Sequence, residues 1–296
     1  MPKVSVVVAT YRRDDDLFRA LESIATQTYD DYEIVLVDDN DNSLWNEKVE
    51  KIVNEFTSRH ISVPITYIQN HPNKGSAETR NVGIEVAKSE YICFLDDDDL
   101  YLPERISNQL IPMQRSNADY SVTNLALYSE TGKLIEERKR EYIEYTDPEH
   151  LFKYHFMYHI TGTDTMMFRR EYLLKIGSFS RIDVGDEFYL MQKAIDKGGK
   201  FLHVPVCDVK AYVHTGDGGL SSGQGKINGE NELFKYKQRY FDRLDLRAKR
   251  YIKMRHYAVL AFAYLRVRKY CEFFKCGVIS FLIYPRECLA LVFKRK

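Results

Sequence analysis

At 296 residues, 44% of them apolar and 29% charged, the chain is long enough to bury a full core, and its composition is neither collagen-like nor disordered. Its formal net charge of zero conceals an asymmetry: residues 247–296 hold 13 Lys or Arg against Glu272 and Glu287, a local +11, leaving −11 on the 246 residues before them. The five cysteines form no CxxC pair, which argues against a disulfide framework or a zinc site, and no apolar run reaches the ~18 residues that span a bilayer.

The chain opens at once on VSVVVATY (4–11), which leaves no room for a signal peptide and reads as a strand buried on both faces. DDDLFRALESIATQT follows with Leu17, Leu21 and Ile24 at helical spacing behind an aspartate cap. EIVLVDD (33–39) is a second buried strand, a helix spans about 45–60, ITYIQN is a third strand, a helix covers about 76–88 with Ser76 as its cap, and YICFL is a fourth strand. This alternation predicts an α/β fold, a Rossmann-like, mostly parallel sheet flanked by helices. Beyond it, PERISNQLIPMQ reads as a helix with Pro103 in its first turn and YSVTNLALYS as one strand. TMMFRR reads as a strand, REYLLKIG and VGDEFYLMQKAIDKG as helices, and KFLHVPVCDVKAYVH as extended chain. TGDGGLSSGQGKINGEN (215–231) carries six of the fifteen glycines and reads as a lid or linker loop. Two or three basic amphipathic helices close the chain. The division predicted is a domain over 1–230, with halves at about 1–100 and 101–230, and a helical extension over 231–296.

Ligands of such sheets bind at the carboxyl ends of the strands. The first strand ends in Thr10, Tyr11, Arg12 and Arg13, the second in Asp38 and Asp39, and the fourth in Asp96, Asp97, Asp98 and Asp99. Four adjacent carboxylates at a strand end call for a counter-charge, and a divalent ion held by one or two of them plus ligand phosphates supplies it; a solvated acidic turn is the plainer alternative. The Asp38–Asp39 pair suits either a helix cap or recognition of a nucleotide base through an N–H, and a phosphorylated receiver domain would need a later strand-end lysine. Arg80, early in the third helix, either pairs with an aspartate or reaches a nucleotide diphosphate.

The order VSVVVATY, EIVLVDDN, NKGSAETRNVGIEVAKSEYICFLDDDD and then a Gly-Asp pair opening a helix resembles the family 2 glycosyltransferases of the A-type fold, over about residues 3–215. The resemblance implies an inverting, metal-dependent transfer from a UDP-sugar. Thr10, Tyr11 and Asp39 would hold the uridine, with Arg13 and Arg80 nearby. Asp96 would face the ribose, with Asp97 in the variable middle of the D-x-D, and Asp98 would hold Mn2+ or Mg2+. Asp186 would be the catalytic base, with Glu187 its rival, and burial beside a second acid would raise proton affinity there. His214 is a candidate further metal or diphosphate contact. Gln192 stands where processive members carry the arginine of Q-x-x-R-W, which argues for single additions. The segment 161–166 is expected at the acceptor entrance.

The implied acceptor is a glycan or lipid-linked glycan of bacterial surface polysaccharide or glycoconjugate synthesis. The basic C-terminal helices suit the inner face of a cell membrane, in a cytoplasmic, peripheral protein with no nucleic-acid partner; a homo-oligomer contact is the alternative for those helices. A catalytically silent sugar-nucleotide-binding protein remains open, and a nucleotidyltransferase is weakened because no G-x-G-x-R loop follows the first strand. A nicotinamide enzyme lacks its G-x-G-x-x-G.

Overall fold

The structure is a computed structural model that describes residues 1–182, 185–213 and 223–293. The chain forms two compact units, one of Met1–Leu151 with Ile160–Val213 and the other of Phe152–His159 with His214–Lys296.

The first unit begins with β1 (Val4–Thr10), α1 (Asp15–Ala25), β2 (Tyr32–Asp38), α2 (Ser43–Arg59), β3 (Ile65–Gln69), α3 (Ser76–Val86) and β4 (Tyr91–Asp96). The β-branched runs bury almost completely, as strands covered on both faces must. Asp14 caps α1 by accepting from the Asp15 N–H, and Leu17, Ala20, Leu21 and Ile24 form its buried stripe. At α3 the cap position is Gly75, with φ +80°, and Ser76 is already inside the helix; the serine cap is corrected. A glycine suits that left-handed φ, and its N–H turns back to the carboxylate of the residue just past β2.

Next come β5 (Leu100–Tyr101), α4 (Arg105–Ser116), β6 (Tyr120–Thr123), β7 (Leu125–Ser129), β8 (Leu134–Arg138), α5 (Pro148–Tyr158), β9 (Met166–Arg169), α6 (Arg170–Lys175), α7 (Asp186–Asp196), β10 (Phe201–Val204) and β11 (Val209–Val213). The main sheet has the order β10-β6-β9-β4-β1-β2-β3, parallel except for β9, which runs antiparallel to both neighbours. Residues 120–129 are thus two strands, because at Asn124 the chain leaves the main sheet for a second one of order β5-β11-β7-β8.

Because β1 lies between β2 and β4, the strand order reverses beside it, and the crevice of an open α/β sheet sits at such a reversal. The register is explicit: Thr10 pairs with Asp38, and Ala9 with Asp96. Three strand ends therefore reach one edge at one height.

The second unit contains most of α5, from Phe152 on, with α8 (Gly223–Gln238), α9 (Leu246–Arg266), α10 (Tyr270–Ile283) and α11 (Pro285–Phe293). The glycine-rich stretch expected as a loop over 215–231 is helical from Gly223; its earlier part, like His214, lies outside the described residues. Ile227 of α8 is buried with Leu260, Ala261 and Ala263 of α9 and Cys276 of α10, and this tertiary burial overrides the poor helix propensity of three glycines.

A β-carbon at Gly83 of α3 would lie 2.4 Å from Cγ1 of Val7 in β1, so this glycine sets how closely the helix rides on the sheet. Overpacking of about 1–3 kcal/mol outweighs the ~1 kcal/mol that alanine gains over glycine in a helix. Gly83→Ala is therefore expected to lower the urea midpoint of unfolding. An unchanged or raised midpoint would show that α3 has room to shift.

Candidate active site

The edge is organised by carboxylates and by what holds them. Asp38 accepts from the backbone and side-chain amides of Asn40 at 2.9 and 2.7 Å and from the Tyr67 hydroxyl at 2.8 Å. Asp39, 4% exposed, accepts from Asn70 Nδ2 and from the backbone N–H of Lys74 and Gly75, each at 2.8 Å. Its own N–H donates to the carbonyl of Thr10, which is buried. The residue expected to meet a base therefore also pins the loop that starts α3.

That loop positions Arg80, which is 8% exposed. Its Nη2 donates to Asp96 Oδ1 at 2.6 Å and its Nη1 to Asp186 Oδ2 at 2.9 Å. Burial works against the charge, but Asp96 and Asp186 more than offset it and hold Arg80 cationic. One guanidinium thus joins the end of β4 to the first residue of α7, the two acids expected to serve donor and acceptor.

The remaining aspartates divide. Tyr11, half-exposed, donates its N–H to Asp97 at 3.1 Å; Arg12 takes a left-handed φ of 54° and donates its N–H to Asn40 Oδ1 at 2.7 Å. Arg13 forms an ion pair with Asp98 and lies 3.5 Å from Asp97. Burial, and then the Asp98 charge, push the Asp97 carboxyl up to about 7. Asp99 is buried and accepts from the Tyr212 N–H at 2.8 Å; burial and then the neighbouring Asp164 raise it well above the usual carboxylate range.

Asp164 was not anticipated. It sits in a 3-10 turn, Thr163–Thr165, immediately before β9, and its Oδ1 accepts from the Asp96 N–H at 2.6 Å. The segment 161–166, expected at an acceptor entrance, is buried at Thr163, Asp164 and Thr165, so this part of it is packed under the end of β4. An acid between threonines just before a strand was the one available signal. Arg105 of α4 was also missed: it is fully buried, donates to the Asp164 carbonyl at 2.8 Å and lies 4.8 Å from the Tyr101 ring.

Carboxylate oxygens of Asp96, Asp99 and Asp164 all lie within 4.8 Å of one another. An all-oxygen set suits Mg2+ or Mn2+ rather than a softer ion, and a cation there would offset the mutual repulsion of three crowded carboxylates. The more accessible members of the ridge are Asp96 and Asp98, with side chains 35% and 17% exposed. The residues present fit a divalent ion.

On α7, Asp186 accepts from the Glu187 N–H at 2.9 Å and is 6% exposed. Burial, and then Asp186 itself, raise Glu187 to about 8, so the carboxyl that carries a proton at neutral pH is the rival of the expected base. Gln192 is buried and donates to Asp196 at 2.7 Å.

With this geometry the chain can be compared with known proteins. Residues 5–177 match the family described as Glycosyl transferase family 2. An uncharacterized glycosyltransferase of Methanocaldococcus jannaschii is 33% identical over 178 residues, 59% of this chain and 58% of that protein. One of Haemophilus influenzae is 28% identical over 60% of this chain and 56% of its own, so the match spans little more than half of these two relatives. The Escherichia coli UDP-Glc:alpha-D-GlcNAc-diphosphoundecaprenol beta-1,3-glucosyltransferase WfaP is 29% identical over 79% of this chain and 86% of its own. Among solved structures, S. aureus TarS 1-349 in complex with UDP-GlcNAc superposes with a TM-score of 0.60 at 16% identity, covering 95% of this chain and 91% of TarS 1-349. The mannosyltransferase PcManGT of Pyrobaculum calidifontis, in complex with GDP-Man and Mn2+, gives 0.62 at 18% identity over 96% and 81%. The fold is the A-type glycosyltransferase fold, and the chain belongs to glycosyl transferase family 2.

Proposed function

We propose that the chain transfers a hexosyl or N-acetylhexosaminyl group from a UDP-sugar to a hydroxyl of a glycan or lipid-linked acceptor, with inversion, in the synthesis of surface polysaccharide or glycoconjugate. The observation that carries this reading is the Arg80 bridge, which sets Asp186 and the end of the aspartate ridge at fixed positions on one cation. The WfaP and TarS similarities support a UDP-sugar donor, and WfaP supports a diphospholipid-linked acceptor.

Thr10, Tyr11 and Asp39 would receive the nucleotide at the β1 and β2 ends. Asp186 accepts the proton of the acceptor hydroxyl, whose oxygen forms a bond to the anomeric carbon. The bond from that carbon to the diphosphate breaks, and its electron pair leaves with UDP. One displacement with one base inverts the centre. Asp98, beside the Asp96, Asp99 and Asp164 cluster that fits a divalent ion, would hold Mn2+ or Mg2+ together with Asp96, and the ion when bound would neutralise charge on the departing diphosphate. Glu187, protonated beside Asp186, keeps a second negative charge away from the base.

The first test is nucleotide release from a panel of UDP-sugars and GDP-mannose, with Mn2+, Mg2+ or chelator. Expected is metal-dependent UDP release from one UDP-sugar, lost in Asp98→Asn. GDP release instead would overturn the donor, and UDP binding without release from any sugar, with acceptors present, would leave a silent binding protein. Asp186→Asn is expected to lower turnover by about 10²–10⁴, well beyond any change in donor affinity passed through Arg80. Glu187→Gln, whose amide mimics a protonated carboxyl, should cost less than about tenfold; the reverse ranking would make Glu187 the base.

A pH dependence follows from the same pair. A folded-state value of about 8 for Glu187, against an ordinary 4.5, means the folded chain holds a proton that the unfolded chain releases. Stability from this group is full below pH ~4.5 and is lost as pH rises towards 8, since the folded state binds more protons throughout that window. In chelator, the urea midpoint should fall between pH 5 and 8.5, and Glu187→Gln should flatten the fall. An equally steep fall in the variant would assign it to other groups.

A further inference from the structure

Helix α10 is apolar on two opposite sides. Its inner side faces α9: Cys276 is buried with Leu260, and the buried Ser280 donates to the Met254 carbonyl at 2.9 Å. At 100° per residue the opposite side carries Tyr270, Phe274, Val278, Phe281 and Leu282 within about a third of the circumference. These five are 56%, 65%, 56%, 43% and 71% exposed. A helix that is apolar on both sides has both sides covered in its working state, and α9 covers only one.

We propose that this outer face of α10 docks on an anionic lipid bilayer, with the helix lying along the surface. The charge around the stripe decides the occupant. Arg266, Arg268 and Lys269 precede it, Lys275 lies on its edge and Arg286 follows it, all exposed, against Glu272 and Glu287. The surrounding stretch 247–296 carries +11. A second copy of this chain meeting the face across a two-fold axis would set that positive surface against itself, whereas anionic headgroups complement it and the acyl boundary takes the aromatic and aliphatic side chains. The helix lies on the bilayer rather than through it: its 14 residues extend roughly 21 Å against a hydrocarbon core of about 30 Å. No described helix is long and apolar enough to cross a membrane.

The docking face goes beyond the proposed transfer and does not depend on it. Its test uses neither donor nor acceptor, so vesicle binding and sugar transfer fail or succeed separately.

The measurement is co-sedimentation of the full chain with vesicles of phosphatidylcholine, alone or with 30 mol% phosphatidylglycerol. At 50 mM salt the anionic vesicles are expected to bind at least about tenfold more tightly, and 500 mM salt should remove most of that advantage. Phe274→Glu with Leu282→Glu should weaken binding at least about tenfold while the melting temperature stays within error, because both side chains are exposed. Lys269→Glu with Lys275→Glu, which leaves the apolar stripe intact, should abolish the preference for anionic lipid. Equal binding to both vesicle types, or an apolar-stripe variant that binds like the wild type, would overturn the proposal. So would a dimer in sedimentation velocity that the Phe274/Leu282 variant converts to monomer, which would assign the face to a second copy.

Discussion

Asp96, Asp97, Asp98 and Asp99 stand together at the end of β4, with Asp164 beneath them and Asp186 alongside, and a buried anion of this kind persists only when paired or neutralised. Two arginines meet that requirement by direct ion pairs, and a third lies close beneath them. Arg13, just beyond β1, takes Asp98 and approaches Asp97; Arg80 of α3 takes Asp96 and Asp186. Arg105 of α4 lies fully buried under the Asp164 carbonyl, and its Nε and Nη1 find no hydrogen-bond partner among the described residues. Where cations run short, protons substitute: Asp97, Asp99 and Glu187 are all pushed towards the neutral form by burial and by their neighbours. The edge therefore holds both its charge and its proton inventory in a fixed arrangement.

Arg80 owes its position to residues far from it in sequence. Asp39 spends its carboxylate on the N–H groups of Lys74 and Gly75, which fixes where α3 begins; Gly83 then lets the helix lie directly on Val7. A helix so constrained at its start and middle delivers the Arg80 side chain to one place. Asp96 is braced from the other side, through its backbone N–H, by Asp164. The second-strand acid thus has a structural duty on which the site depends, whatever it also does for a base.

What the sequence could show follows from the range of the interactions. The strands β1, β2 and β4 were legible because a strand covered on both faces must be apolar throughout, and their carboxyl ends because polar residues begin where that cover stops. The sheet switch at Asn124 was not, since strand propensity in YSVTNLALYS is continuous and the change of partners is set by β9, β10 and β11. Glycine count made residues 223–231 look like loop, when burial of Ile227 against α9 keeps them helical. The aspartates of the ridge and Asp186 could be named from motif order, yet the Arg80 link between them, and Asp164 under them, exist only in three dimensions.

That link has a consequence for how the site responds to a ligand. Two carboxylates on one guanidinium are not independent: each is stabilised by a charge the other also uses, and Arg80 is buried too deeply for water to replace either bond at no cost. A ligand group that draws Asp96 to itself leaves Arg80 more fully to Asp186, and one that hydrogen-bonds Asp186 shifts the cation towards Asp96. The energetic coupling is carried by one side chain of known contacts, and by linkage it acts equally in both directions. Ligand groups that contact Asp96 and Asp186 would consequently sense each other through Arg80 alone.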